Sequence, residues 1–285
     1  MSFTKRTEKL VPEGAYQVLA RAGELETQGR SVIHLEIGQP DYDTPQNISL
    51  KGIQAIANGY TKYRSTAGIE ELRAVIPAED LAHIAAAAQA YDCWVLSDEI
   101  YTRIVFDGRS APSIAALPGM AERTIIMDGF SKTYAMTGWR LGYGIMPEPL
   151  ARKVQLLLTH TLGSTAHFTQ IAGVEALVGT QAHVADMVAQ YEARRDVIVA
   201  GLNAIPGVTC CKPPGAFYVF PNVQSFGVSS AELANRLLEK GGVALLPGTA
   251  FGAFGEGFLR LSYANSIENI QEALRRITAV LGSGL

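Results

Sequence analysis

The chain has 285 residues, 48% apolar and 18% charged, with a net charge of -3; this is globular composition with length for one large or two modest domains. It gives no basic footprint for nucleic acid, and the longest apolar region, Leu81 to Leu96, is broken by His83, Gln89 and Asp92, too polar for a membrane span. Cys93, Cys210 and Cys211 make no disulfide framework, M-S-F-T-K-R-T-E-K-L lacks the apolar core of a signal peptide, and no Cys/His spacing fits a metal site, so a cytoplasmic protein is expected.

Val11 to Glu26 reads as a helix, and Val32 to Ile37, with His34, as a short alternating strand. The strand stops at Gly38-Gln39-Pro40-Asp41, which is either a plain turn or a place where glycine lets a ligand approach the backbone. Gln46 to Asn58 predicts a helix and Tyr60 to Gly68 a loop carrying Tyr63. A helix begins over Ile69 to Ala74, and a second starts at once, because Pro77 suits a first helical turn and Glu79 and Asp80 favour a helix N-terminus. No strand separates them. Ala78 to Tyr91 is alanine-rich and helical. Trp94 to Leu96 reads as a short buried strand ending in Ser97-Asp98-Glu99-Ile100-Tyr101, where Asp98 at a carboxyl end is a functional acid or a cap and Glu99 is expected at the surface.

The apolar run Thr124 to Met127 leads into a turn at Asp128 and Gly129 that delivers Lys132 at the mouth of a buried strand. One helical turn follows, which Gly138 can end in a left-handed conformation, so that Arg140 returns to the side of Lys132. A nucleophilic lysine needs a lowered pKa, which a neighbouring cation and partial burial supply, and a guanidinium suits a phosphate. Leu141 to Met146 completes a thin sheet of three strands. Pro149 to Leu158, Phe168 to Leu177 and Gln181 to Asn203 are helices, the last read as a strut whose Arg194, Arg195 and Asp196 form a solvated face. From Pro206 short strands alternate with turns: V-T-C-C, A-F-Y-V-F, V-A-L-L-P and F-L-R-L-S-Y-A, with helices at Ala231 to Lys240 and Ile267 to Leu281, an α+β arrangement. Arg260, central in an apolar strand, needs a carboxylate from an internal acid or from a ligand.

S-K-T-Y-A-M-T-G-W-R-L-G-Y, Ser131 to Tyr143, resembles the Schiff-base lysine segment of the class I/II aminotransferases, the aspartate-aminotransferase-like branch of fold-type-I pyridoxal-phosphate enzymes. G-x-P-D with Thr44-Pro45, K-Y-R-S-T-A-G-I-E-E-L-R, S-D-E-I-Y and F-L-R-L-S-Y-A are similar to further segments of that family. The resemblance implies an α/β fold-type-I PLP-dependent transferase, with a large α/β domain over residues 46–199 and a small α+β domain from residues 1–45 and 200–285. It implies pyridoxal 5′-phosphate as cofactor, held covalently by Lys132, with its phosphate on Arg140, its ring nitrogen on Asp98 and its ring oxygen on Tyr101. Tyr63 would reach the phosphate of the neighbouring subunit in a homodimer, and the Gly38 amide and Arg260 would bind the substrate carboxylate. The implied reaction is transamination between an amino acid and a 2-oxo acid, of aspartate type. The alternatives are a lyase or decarboxylase on the same scaffold and a shortened, catalytically impaired member. In the family several strand and helix units occupy the junction between Ala74 and Val75, and at ~30 residues per unit roughly a hundred residues are missing there. They would include the phosphate-cradling turn, the aromatic stacked on the ring and an Asn-Pro-x-Gly turn.

Overall fold

The computed structural model describes residues 14–58 and 82–283. Tyr63 and the Ala74–Val75 junction lie outside them. In chain order the elements are α1 (Gly14–Thr27), β1 (Ile33–His34), α2 (Gln46–Ala57), α3 (Ala82–Ala90), β2 (Val95–Asp98), β3 (Thr124–Gly129), β4 (Gly142–Ile145), α4 (Glu148–Thr161), α5 (His167–Val178), α6 (Ala182–Asn203), β5 (Tyr218–Val219), α7 (Ser230–Gly241), β6 (Val243–Ala244), β7 (Leu246–Pro247), β8 (Leu259–Ser262) and α8 (Ile267–Gly282). Internal contacts divide the chain into two units: Met1–Gly38, Gln190–Pro213 and Phe217–Leu285 form one, and Gln39–Ala189 with Pro214–Ala216 the other.

The first unit is built on β1 parallel to β6 and on an antiparallel sheet in the order β5-β8-β7. Its helices follow from local chemistry. Ser229 caps α7 by accepting the Glu232 amide, Gly242 ends it at φ 62, and Leu233, Ala234, Leu237 and Leu238 recur at helical spacing to form its buried face. Ser266 caps α8 in the same way. The strand predicted over Val32 to Ile37 shortens to Ile33–His34, because the chain beyond leaves β6 to meet β8: Ser262 donates to the Leu35 carbonyl at 2.8 Å. V-T-C-C is not a strand but a single bridge from Thr209 to Asn222. The solvated face expected on α6 is also corrected. Arg194 is buried and Arg195 is 0% exposed, with Nε 2.9 Å from Asp196, Nη2 3.3 Å from Glu192 and Nη1 3.3 Å from the Pro213 carbonyl. Two partly exposed acids and a carbonyl satisfy the guanidinium while its stem is sunk in the core.

The second unit carries the sheet β2-β3-β4, with β2 parallel to β3 and β4 antiparallel to it. Asp128 and Gly129 do not form the expected turn. They are the last rungs of β3, paired with Tyr143 and Gly142. Because side chains alternate, Val95, Thr124, Ile126, Asp128 and Tyr143 share one face and Leu96, Asp98 and Met127 the other. Ala85 and Ala88 of α3 and Ile114 of the β2–β3 crossover form a core with Val95 on the first face. The second face is bare: Leu96 is 68% exposed and Met127 47%, so the strand expected to be buried is covered on one side only. Three strands bring too few crossovers to cover both sides of a sheet. Helices α2 and α5 pack together around Ile48, Ala172 and Ala176.

On the covered face Asp128 Oδ2 accepts the Tyr143 hydroxyl at 2.8 Å and Oδ1 accepts the Gly129 amide at 2.6 Å. Burial pushes the Asp128 carboxyl above its ordinary value, against these two bonds, which pull it down. A carboxyl raised in this way adds its full stability only while protonated; the contribution is complete below the ordinary value of 3.8 and is lost as pH rises through the folded value. Asp128→Asn, which cannot ionise, is therefore expected to melt a few degrees above the parent at neutral pH, with the gap closing below pH 3.8. Calorimetry across the acid range checks this, and a lower melting point for the variant at neutral pH would show the two hydrogen bonds outweighing the buried charge.

Candidate functional site

The connection from β3 to β4, Phe130 to Leu141, is a closed turn. The Phe130 amide donates to the Leu141 carbonyl at 3.2 Å, the Tyr134 amide to the Phe130 carbonyl at 3.2 Å, and the Trp139 amide to the Met136 carbonyl at 3.2 Å. Phe130, Tyr134, Met136 and Leu141 are buried in one core cluster with Ile48, Ala172 and Ala176. Between these anchors Lys132 is half-buried and Arg140 is exposed. The reversal does not fall on Gly138, which lies inside a 3-10 turn, Thr137–Trp139. The left-handed residues are Ala135 at φ 51 and Arg140 at φ 53. Each costs about 1–2 kcal/mol that a glycine would not, so packing and hydrogen bonding set the shape of this turn rather than the flexible residue in it.

Lys132 Nζ lies 6.0 Å from the centroid of the Tyr101 ring. Asp98 ends β2, in register with Met127 of β3, and its Oδ1 accepts the Ile100 amide at 3.2 Å. Lys132, Tyr101 and Asp98 thus follow the carboxyl ends of two adjacent parallel strands, where open α/β sheets carry their chemistry. The Arg140 guanidinium donates to the Thr137 carbonyl of its own turn at 2.9 Å. Glu99, expected at the surface, is 4% exposed. Its amide continues the ladder to Met127 at 2.8 Å, and its carboxylate accepts Ser113 Oγ at 2.6 Å and Ser97 Oγ at 3.1 Å. The alternation that turns Asp98 to the open face turns Glu99 inward, a signal present in the sequence period.

The first unit holds Arg260 and Gly38 together. Arg260, opposite Leu246, donates Nη2 to the Glu36 carbonyl and lies 4.7 Å from the Tyr218 ring centroid and 4.9 Å from that of Phe251. A Cβ on Gly38 would sit 1.7 Å from the Tyr218 hydroxyl, so this residue is glycine because the phenol fills the space. Tyr218 therefore touches both candidates, and the sequence reading did not single it out. Glu36 is fully buried and pairs with His34 Nδ1 at 2.7 Å, while Glu26 lies 3.2 Å from Nε2. Burial disfavours the charged His34 ring, but the two carboxylates outweigh it and raise its pKa. Among the described residues no group of His, Cys, Asp and Glu could hold a metal, and no helix is long and apolar enough to cross a membrane. Cys93, Cys210 and Cys211 are free thiols.

The family model described as aminotransferase class I and II matches residues 74–277. An aspartate aminotransferase of Pyrococcus horikoshii is 43% identical over 201 residues, which are 70% of this chain and 51% of that protein, so the chain spans about half the length of this relative. An aspartate aminotransferase of Geobacillus stearothermophilus is 27% identical over 387 positions, covering 97% of this chain and 98% of its own. The crystal structure of an aromatic aminotransferase from Pyrococcus horikoshii superposes with a TM-score of 0.84 at 28% identity, spanning 93% of this chain and 99% of that one. The match begins at residue 74, where the sequence reading sets its gap, and the 387 aligned positions against 285 residues give that gap its size of roughly a hundred.

Because a Cβ at residue 38 would fall 1.7 Å from the Tyr218 hydroxyl, Gly38→Ala is expected to destabilise the first unit by about 1–3 kcal/mol, the cost of overpacking a filled site. Denaturant unfolding of parent and variant measures it. Equal stability would show that the Tyr218 ring can leave Gly38 without loss.

Proposed function

The chain belongs to the aminotransferase class I and II family, and from that premise we propose that it catalyses transamination between an amino acid and a 2-oxo acid with pyridoxal 5′-phosphate. Its fold is that of the α/β fold-type-I PLP-dependent transferases, with an incomplete sheet. Relatives run to roughly 390 residues, so the activity of this shorter chain is an inference from the residues it retains. The observation that carries the reading is Lys132: a half-buried amine 6.0 Å from the Tyr101 ring centroid, on a turn whose neighbouring side chains are locked in the core.

The donor set fits the coenzyme group by group. Lys132 offers an amine for its aldehyde, Asp98 a carboxylate for its ring nitrogen, Tyr101 a phenol for its ring oxygen and Arg140 a planar, permanently charged guanidinium for its phosphate. When bound, pyridoxal 5′-phosphate supplies an electron-poor ring that takes up the pair left when the substrate Cα–H bond ionises. Asp98 keeps a proton on the ring nitrogen and so maintains that electron demand. The free amine of Lys132 would be the base that takes the proton from Cα and the acid for the second proton transfer. By the same resemblance Arg260 and Gly38, which meet at Tyr218 within the first unit, would take the substrate carboxylate. We infer an aspartate-type donor, a homodimer in which Tyr63 serves the neighbouring subunit, and a reducing compartment, which the three free thiols suit.

Incubation with pyridoxal 5′-phosphate, borohydride reduction and peptide mass mapping should place the label on Lys132, and Lys132→Ala should abolish it. With aspartate and a 2-oxo acid the nitrogen should appear on the new amino acid. A label spread over surface lysines, or release of the nitrogen as ammonia, would contradict the reading.

A further inference from the structure

We propose that Thr44 is a positioning residue for the Lys132 turn, its single hydroxyl tying Ala135 to Trp139 across the reversal. Thr44 Oγ1 donates to the Ala135 carbonyl at 2.7 Å and accepts the Trp139 indole N–H at 3.1 Å. Both bonds are long-range, and both are partly buried. Thr44 itself is fixed at the start of α2: Pro45 caps the helix and accepts the Ile48 and Ser49 amides at 3.0 Å, while Ser49 Oγ donates to the Thr44 carbonyl at 3.3 Å. One turn further on, α2 also makes room for the partner ring. A Cβ on Gly52 would fall 2.8 Å from both Cη2 and Cζ3 of Trp139, so the hydroxyl of Thr44 and a notch in α2 meet the same indole.

Of the two residues that Thr44 joins, one is itself left-handed and the other directly precedes the second left-handed residue. Ala135 adopts φ 51 without the freedom of glycine, and its amide reaches back to the Lys132 carbonyl at 3.5 Å. Trp139 is followed directly by Arg140 at φ 53. Holding Ala135 and Trp139 together therefore sets where the backbone of Lys132 lies relative to that of Arg140. The bridge needs a group that donates on one side and accepts on the other, which a hydroxyl does with one atom. Valine would preserve the shape and strand both a carbonyl and an indole N–H. What Lys132 and Arg140 grasp rests on the function proposed above; the bridge itself does not.

Thr44→Val and Thr44→Ser separate the hydroxyl from the methyl group. In the cofactor-free chain, hydrogen exchange read by mass spectrometry should be about tenfold faster in peptides spanning Phe130 to Leu141 for Thr44→Val, the factor expected for one hydrogen bond's net contribution. Thr44→Ser should match the parent, and peptides of α8 should not change. In parallel, borohydride labelling of Lys132 by pyridoxal 5′-phosphate should slow about tenfold in Thr44→Val and recover in Thr44→Ser. Equal exchange in Thr44→Val and the parent overturns the proposal. If the exchange difference is present but the parent's Lys132 takes no label, the coenzyme reading fails and the role of Thr44 in the turn stands. Should Thr44→Val not fold, Trp139→Phe removes the indole donor together with part of the ring over Gly52, and exchange in Phe130 to Leu141 that stays at the parent rate overturns the proposal equally.

Discussion

The closure of the turn between Phe130 and Leu141 is the constraint on which the site depends. Two antiparallel strands bring those residues together, one backbone hydrogen bond joins them, and four apolar anchors sink into the core beneath. A loop bound only by its ends would let a lysine side chain sample many positions, and fixing it at the moment of binding would cost affinity. Here the ordering is done by folding. Lys132 and Arg140 each lie between two of these anchors in the chain, so the packing that stabilises the unit also presents Lys132 beside Tyr101.

The rest of the second unit is arranged to support that presentation. The covered face of the sheet carries the Asp128–Tyr143 bond and the Glu99 carboxylate with its two serines, all on the side packed by α3 and the crossover. Asp128 is bonded by Tyr143 and the Gly129 amide, whereas Glu99 takes both serine hydroxyls on Oε1 and its buried Oε2 has no hydrogen-bond partner among the described residues. The opposite face carries Asp98 among exposed Leu96 and Met127. The family match starts at residue 74, and a relative that aligns along nearly the whole chain does so over 387 positions against 285 residues here. The turn that carries Lys132 joins β3 to β4, and its apolar residues pack with Ile48 of α2 and Ala172 and Ala176 of α5.

Much of this was legible in the residues. Helix positions followed from periodicity and caps, and the lysine segment pointed to the family before any geometry was known. The misreadings share a cause. Glu99, Arg195 and the Trp94–Leu96 strand were assigned to surface or core by residue type and composition, yet which side of a strand or helix is covered depends on partners distant in sequence. Alternation could have predicted Glu99 from Asp98. Nothing local could have revealed that Gly38 faces the Tyr218 hydroxyl or that Thr44 bridges Ala135 and Trp139, since those contacts join segments that meet only in the fold. The left-handed positions were misplaced for a related reason: glycine marks where reversal is cheap, whereas packing of Met136 and Trp139 put it on Ala135 and Arg140.

The approach of the Lys132 amine to 6.0 Å from the Tyr101 ring centroid is set by the protein alone. A nuclear Overhauser measurement on the cofactor-free chain, selectively labelled at lysine and tyrosine, tests it most directly. Cross-peaks from the Lys132 ε-methylene protons to the Tyr101 ring protons are predicted. Their absence, with the Lys132 side chain showing the averaged shifts of a solvated lysine, would contradict the claim.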